Sequence, residues 1–340
     1  MRPGAASCRT FLEEVAVDVS SLLIPAVLFF ALGFVAQVIR SDLKFPPDLA
    51  KALSIYLLIG IGLKGGIELS HADLGAALHA VAVALVLGFG LPLVAYAILV
   101  AGRLDKLNAS AIAAHYGSVS AGTFLTAIAY LHAQQIEFES YPVIMLAIME
   151  SPAIIVGLLL ARFSRGGARG EDDARSNHMG ELLRDAFTNG SVMLLFGAMV
   201  IGLLVKPDSL ATITPFYGVL FMGVLSLFLL EMGMEAGKRI GEFGRAGGFL
   251  ISFGIAMPLI GAAAGILAGH AWLGFSEGGV LLVAVLGASA SYIAVPPAMR
   301  LAIPEANPSY YLTLSLGVTF PFNVLVGIPF YHYAIRTLMA

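Results

Sequence analysis

Small and hydroxyl-bearing residues interrupt a long apolar segment at Ala114-His115-Tyr116-Gly117-Ser118-Val119-Ser120-Ala121-Gly122-Thr123. A related stretch, Gly287-Ala288-Ser289-Ala290-Ser291, interrupts a second apolar segment in the other half of the chain. Small residues let helix backbones approach closely, and glycine lets a helix open. Because lipid cannot hydrogen-bond the freed amides, an opened helix must line a cavity or be buried in protein. Either stretch alone is also compatible with tight helix packing and no ligand, but a matched pair, one per half, favours a transporter's binding site.

The overall composition is typical of an integral membrane protein. Of the 340 residues, 59% are hydrophobic and 12% are charged, whereas a soluble domain has about 45–50% apolar and about 25% charged residues. The net charge of −3 argues against nucleic-acid binding. The single cysteine, Cys8, allows no internal disulfide and no thiolate metal cluster. The first apolar run is interpreted as a retained span rather than a cleaved signal, because Arg2 and Arg9 before it are offset by acidic residues.

Ten segments are apolar enough to predict membrane-spanning helices of about 20 residues. Their approximate limits are 20–38, 49–69, 75–101, 108–131, 141–163, 184–205, 213–236, 248–270, 277–299 and 309–337. The polar stretch between the fifth and sixth spans is predicted to be a solvated linker. The predicted organisation is a first five-helix repeat at 1–163, a cytoplasmic linker at 164–182, and a second, inverted five-helix repeat at 183–340.

Basic residues predict the orientation of these spans. Fourteen of the nineteen Lys and Arg residues fall in the odd-numbered connections between spans. Because cytoplasmic loops carry the excess of positive charge, the odd connections are predicted to be cytoplasmic and both termini to face outward. Five spans per half is an odd number, so the second half must enter the membrane inverted relative to the first.

A constant offset of 171 residues relates motifs in the two halves. The motif at 62–66, Gly-Leu-Lys-Gly-Gly, corresponds to Gly-Met-Glu-Ala-Gly at 233–237, and Ser118 corresponds to Ser289. Agreement in offset, order and span number predicts a 5+5 inverted repeat, which is typical of secondary transporters with interrupted helices. Lys64 and Glu235 fall at equivalent positions, where they either pair or reach separately to the membrane surface. Glu231, one turn from Glu235, is a candidate for a cytoplasmic vestibule.

Two inverted breaks that meet would form a site for a small anion. An interrupted helix exposes amides with a partial positive charge at the N-terminus of its second half. Hydroxyl donors are available from both breaks, namely Ser118, Ser120, Thr123, Ser289 and Ser291. Carbonyls released on the other side of each break, together with hydroxyls, could hold a monovalent cation. Pro296 and Pro297 follow the second break and prevent an uninterrupted helix there.

Three polar residues inside predicted spans are further candidates, because intramembrane polar groups are costly. Glu150 is interpreted as a cation ligand, a proton carrier or a structural partner, and Asn323 as a neutral cation ligand or a helix-packing hydrogen bond. His115 lies one turn before Ser118 and is interpreted as a packing donor or a pH-sensitive neighbour of the site. No orienting acid accompanies His115 and Ser118, no metal-ligand spacing occurs, and the chain is not expected to be an enzyme.

Four motifs together resemble the sodium-dependent bicarbonate transporter family, of which the chain is identified as a divergent member. They are Gly-Ser-Val-Ser-x-x-Thr at 117–123, Glu-Ser-Pro-Ala at 150–153, Gly-Met-Glu-Ala-Gly at 233–237, and Pro-Pro-Ala-Met-Arg-Leu-Ala-Ile-Pro-Glu-Ala-Asn-Pro-Ser at 296–309. The resemblance implies sodium-driven bicarbonate uptake by an elevator-like movement, in which a core domain with two crossing, interrupted helices slides against a gate domain. It also implies a homotrimer in the bacterial inner membrane and a cytoplasmic PII-like regulator.

Carried over by position, the implied anion site draws on both breaks and comprises Gly117, Ser118, Val119, Ser120, Thr123, Ser289, Ala290 and Ser291. The sodium candidates are Glu150, Ser118, Ser289 and Asn323. The chain departs from the cyanobacterial pattern at Tyr292, which stands in place of an aspartate. A phenol cannot replace that charge beside a cation, so Glu150 is the candidate substitute. The predicted cargo is bicarbonate with sodium; the alternatives are another small anion or carboxylate, coupled to an ion or to protons, and a membrane sensor or scaffold.

Overall fold

The computed structural model describes residues 24–165, 190–205, 212–239 and 243–339, together with the single residues 209 and 241. Over these residues the chain is helical and contains no β-strand. Two sequence predictions lie outside the described residues: the outward N-terminus, and the cytoplasmic linker beyond residue 165.

The helices follow one another in an order close to the predicted spans. The first half contains α1 (Pro25–Val38), α2 (Pro47–Leu69), α3 (Leu74–Ala101), α4 (Lys106–Gly117), α5 (Ala121–Ala133) and α6 (Tyr141–Ser164). The second half contains α7 (Gly190–Leu204), α8 (Thr214–Val219), α9 (Phe221–Arg239), α10 (Phe243–Leu267, extended by a π-helical turn at Ala268–Trp272), α11 (Glu277–Ala288), α12 (Val295–Ala302) and α13 (Pro308–Met339).

Five helices of the described residues are long and apolar enough to cross a membrane, namely α2, α3, α6, α10 and α13. Three other apolar helices are shorter: α1 has 14 residues, α7 has 15 and α11 has 12. The remaining predicted spans correspond to these shorter helices or to two helices with a break between them. The chain is therefore an all-helical protein with the character of a membrane protein.

Local sequence explains where several helices begin. Helices α1, α2 and α6 carry proline in the first turn, where its missing N–H would have no helical partner. Asp73 caps α3 by accepting from the Ala76 amide at 2.8 Å, and Asp105 caps α4 by accepting from the Asn108 amide at 2.9 Å. Such caps satisfy amides that the helix leaves unpaired and contribute about 1 kcal/mol each.

Two helix pairs pack through glycines, in contacts that we call the glycine seams. In the α1–α9 pair, Gly33 and Gly233 each face a backbone carbonyl of the opposite helix so closely that a Cβ atom would overlap it. In the α2–α7 pair, Gly62 and Gly202 face opposite carbonyls in the same way. Close backbone approach of this kind is typical of small residues between membrane helices.

The other long helices surround the two interrupted helices. Helices α3 and α6 lie against α4, and helices α10 and α13 lie against α11. Gly117, at the end of α4, has Pro92 of α3 at the place that a Cβ atom would occupy. Gly287, near the end of α11, faces the Gly261 carbonyl of α10 in a similar contact. Each interrupted helix is thus held against the preceding long helix by one glycine next to its break.

The glycine seams predict a steric penalty for a single methyl group. Gly233→Ala should lower the free energy of unfolding by about 1–3 kcal/mol, because its Cβ atom would meet the Phe30 carbonyl, which is backbone and cannot move aside. Thermal unfolding of the purified protein in detergent measures the effect.

Gly197→Ala in α7 is the matched control, since no atom of another described helix lies within 4 Å of that Cβ position. Alanine favours helix over glycine by about 1 kcal/mol, so the control should unfold at the same temperature or higher. Equal losses of stability in both variants would contradict the close backbone contact in the glycine seam.

Candidate functional site

The chain leaves helical geometry at both serine-rich stretches. Ser118 (φ −89°, ψ 174°) and Ser120 (φ −113°, ψ 109°) are extended, and residues 118–120 separate α4 from α5. Ser289 is also extended (φ −85°, ψ 161°), and residues 289–294 separate α11 from α12. Both interruptions fall where the sequence places the small, hydroxyl-bearing residues.

The two breaks lie against each other. The Ser120 amide donates to the Ser289 hydroxyl oxygen at 3.0 Å, and the Ser291 amide donates to the His115 carbonyl at 2.9 Å. Residues about 170 positions apart are therefore in direct contact, and each break accepts a hydrogen bond from an amide of the other. These two bonds satisfy backbone groups that a membrane interior would leave unpaired.

A local hydroxyl network reinforces the first break. Ser120 caps α5, since its hydroxyl oxygen accepts from the Thr123 amide at 3.1 Å and from the Thr123 hydroxyl at 2.9 Å. The Ser289 hydroxyl donates to the Leu286 carbonyl at 3.0 Å, which orients its oxygen towards Ser120. Part of the predicted hydroxyl set is therefore engaged in holding the breaks together.

The backbone of the first break has amide groups available to bind a ligand. Among the described residues, no hydrogen bond of regular geometry is found for the amides of Ser118, the C-cap of α4, and Val119. The predicted anion-site residues of both breaks are buried, with exposures of at most 3%: Ser118, Val119, Ser120, Thr123, Ser289, Ala290 and Ser291. Gly117 is buried beside them. These buried amides precede the N-cap of α5, whose first turn carries a partial positive charge that favours an anion.

Glu150 lies at the level of the first break. Its backbone carbonyl accepts a long hydrogen bond, 3.5 Å, from the Ser118 hydroxyl, so α6 lies directly against the break. The side chain is 8% exposed, and its Oε2 atom has no hydrogen-bond partner within the described residues. A buried carboxyl oxygen without a donor is costly, and a cation or a proton would satisfy it.

Asn323 is committed to holding the second break. Its side-chain amide donates to the Ala288 carbonyl, the last of α11, at 2.9 Å, and its oxygen accepts from the Tyr331 hydroxyl at 2.8 Å. Asn323 opens a π-helical turn of α13, Asn323–Gly327. Of the two roles that the sequence leaves open, this geometry matches the helix-packing hydrogen bond.

His115 also acts as a packing donor. Its Nδ1–H group donates to the Ala111 carbonyl at 2.7 Å, and its ring stacks on Tyr311 with centroids 4.4 Å apart. The Nε2 atom is buried and has no hydrogen-bond partner within the described residues. Together with its backbone carbonyl bond to Ser291, this residue links α4, α13 and the second break.

The suggested pairing of Lys64 with Glu235 is wrong. Lys64 Nζ lies 5.3 Å from the centroid of the Phe138 ring, and Glu235 forms an ion pair with Lys238 one turn away. Lys64 instead lines a cavity of about 330 Å³ between α2, α8 and α9 on one side and α5 and α6 on the other. No predicted site residue lines this cavity.

Sequence reasoning missed the contribution of Tyr292 to the geometry of the site. Its ring makes an edge contact with Phe320, with centroids 5.4 Å apart, and its hydroxyl lies over Gly122 in the first turn of α5. A Cβ atom on Gly122 would overlap that hydroxyl. In the sequence, Gly122 could have indicated this contact, because a glycine inside a helical turn often marks the close approach of another group.

The bond between the breaks predicts a specific cost for removing one hydroxyl. Ser289→Ala should lower the free energy of unfolding by about 1–3 kcal/mol, because it leaves the buried Ser120 amide without an acceptor. Ser110→Ala is the control, since that buried hydroxyl only donates to the Lys106 carbonyl within α4. Thermal unfolding of both variants is compared with the parent, and equal stability of the Ser289 variant and the parent would contradict the bond.

Comparison with protein families gives a match over nearly the whole chain. The model of the Na⁺-dependent bicarbonate transporter superfamily matches residues 25–336, nearly the whole chain and both breaks. No curated protein matches the sequence significantly. The chain belongs to the Na⁺-dependent bicarbonate transporter superfamily.

Proposed function

We propose that the protein is a secondary transporter that imports a small monoanion, bicarbonate first, together with sodium. The observation that carries the proposal is the contact of the two breaks, with the Ser120 amide on Ser289 and the Ser291 amide on His115. Interrupted helices that meet in this way form the binding sites of inverted-repeat transporters. Membership of the superfamily supports both bicarbonate and sodium as the transported species.

The proposed architecture is a 5+5 inverted repeat with a gate made by α1, α2, α7 and α9. The glycine seams support it, because α1 pairs with α9 and α2 pairs with α7. A two-fold axis between the halves predicts this exchange, in which the first helix of each half pairs with the second helix of the other. The remaining helices form the proposed core, which moves against the gate in an elevator-like manner.

In the proposed site, the anion binds at the buried residues of the two breaks, where the free amides of Ser118 and Val119 support its charge. The sodium ion binds near Glu150, whose unpartnered Oε2 atom supports a cation ligand. The Ser118 and Ser289 hydroxyls remain sodium candidates, whereas the two hydrogen bonds of Asn323 favour a supporting role. Hard monovalent cations prefer such oxygen ligands.

Orientation and assembly belong to the same proposal. Both termini face outward and odd connections are cytoplasmic, as the distribution of Lys and Arg favours. Residence in the bacterial inner membrane is supported by the family relationship. The homotrimer and the PII-like regulator are supported by the family relationship alone.

A second candidate keeps the fold and couples another small anion or carboxylate to protons. It is favoured by two buried atoms without hydrogen-bond partners in the described residues, Glu150 Oε2 and His115 Nε2. Both atoms can take up a proton. A pH gradient without sodium would drive uptake under this alternative and not under the first.

Proteoliposomes provide the direct test of the proposed function. Radiolabelled bicarbonate should accumulate when sodium is imposed outside, and an equal potassium gradient should give little uptake, because coupling requires the cation that binds with the anion. Liposomes without protein serve as the control. Folded protein that gives no uptake with either cation would reject the bicarbonate assignment.

Substitution of Glu150 tests the coupling site. Glu150→Gln should lower the apparent sodium affinity for uptake by about ten-fold or more, because an amide removes the charge beside the cation while keeping the volume. Glu137→Gln, an exposed position after α5, is the control and should behave like the parent. Full sodium dependence in the Glu150 variant would remove this residue from the coupling site.

A further inference from the structure

Tyr292 presents a buried hydroxyl to the N-terminal turn of α5. The side chain is 8% exposed, and its hydroxyl is directed at the Cα atom of Gly122, the second residue of α5. The hydroxyl also interacts with the Ser120 side chain, but it forms no hydrogen bond of regular geometry within the described residues. A buried hydroxyl without a regular acceptor is costly, and such groups in native proteins serve a ligand, an ion or a water.

Donor groups without a regular hydrogen bond therefore lie on two sides of Ser120. The free amides of Ser118 and Val119 precede Ser120 along the first break, and the Tyr292 hydroxyl lies beside Ser120 and Gly122 on the following turn. An acceptor bound at the start of α5 would satisfy both sets of donors. The helix dipole adds a partial positive charge at that end of the helix.

Aromatic rings limit the space around the hydroxyl. Phe228 of α9 and Phe320 of α13 both lie within 3.2 Å of the Cβ position of Gly122, and Phe30 of α1 makes an edge contact with Phe320. The rings of Phe228 and Phe320 therefore pack against the same face of Gly122 that the Tyr292 hydroxyl approaches.

We propose that Tyr292 is an anion-binding residue, whose hydroxyl donates a hydrogen bond to a small monoanion at the N-terminal turn of α5. This role of Tyr292 rests on the proposed function, because its hydroxyl binds the anion of that same transport site.

Binding to the full-length protein in detergent tests the role of the hydroxyl. Thermal stabilisation is titrated with the sodium salts of bicarbonate, formate and nitrate at constant total sodium. The parent should be stabilised by at least one of these monoanions. Tyr292→Phe should raise the half-maximal concentration of that monoanion roughly ten-fold, which is typical of a lost hydrogen bond to a charged group. Tyr333→Phe, at a 38% exposed position of α13, should leave it unchanged.

A double substitution tests the position of the hydroxyl independently of any ligand. Gly122→Ala alone should lower the unfolding temperature, because its methyl group overlaps the Tyr292 hydroxyl. In the Tyr292→Phe background the same change should cost less, since the overlapping oxygen is gone. An identical loss in both backgrounds would place the hydroxyl elsewhere and overturn the proposal.

The outcomes separate this proposal from the proposed function. Sodium-driven bicarbonate uptake together with unchanged affinity in Tyr292→Phe overturns the role of Tyr292 and leaves transport intact. Monoanion binding that weakens in Tyr292→Phe, without any bicarbonate uptake, supports Tyr292 and rejects the cargo. A parent protein that binds none of the three monoanions overturns both.

Discussion

Backbone groups that are freed inside a membrane must find partners within the protein, and this constraint governs the centre of the molecule. The two breaks meet it by bonding to each other, through Ser120 with Ser289 and Ser291 with His115. Asn323 satisfies a further backbone group, because its side-chain amide donates to the last carbonyl of α11. The surrounding helices can approach closely enough to enclose these bonds because glycine stands next to each break.

Contacts of two different kinds hold the helices together. Within each glycine seam, backbone faces backbone, and a displacement along the seam brings Cβ atoms into collision with carbonyls. Between α1 and α13 the contact includes side-chain rings, with the centroids of Phe30 and Phe320 5.5 Å apart. Ring contacts carry no directional hydrogen bond and tolerate a shift better than interlocked backbones.

The sequence predicted most of the helix order and both interruptions, because these depend on local composition. Long apolar segments, and serines and glycines where apolar residues are expected, are visible without knowledge of the fold. The 171-residue offset predicted which motifs correspond, and Gly62 and Gly233 do occupy comparable contacts in the two seams. Within the described residues, helices α1 and α7 are shorter than the spans predicted for them, with 14 and 15 residues.

Individual side-chain partners could not be predicted in the same way. The bonds of Asn323 to Ala288 and Tyr331, and the reach of Tyr292 to Gly122, depend on helix rotation and side-chain direction across distant elements. Lys64 is the clearest example. Its position in the repeat suggested Glu235 as its partner, whereas its side chain lies over the Phe138 ring. Equivalence by symmetry relates two environments and does not bring the two residues together.

The reciprocal bonds between the breaks have a consequence for biosynthesis. The Ser120 amide enters the membrane about 170 residues before its acceptor, Ser289, has been translated. Gly33 of α1 likewise packs against α9, which is translated nearly 200 residues later. These groups of the first half can therefore reach their native partners only after the second half has been translated and inserted.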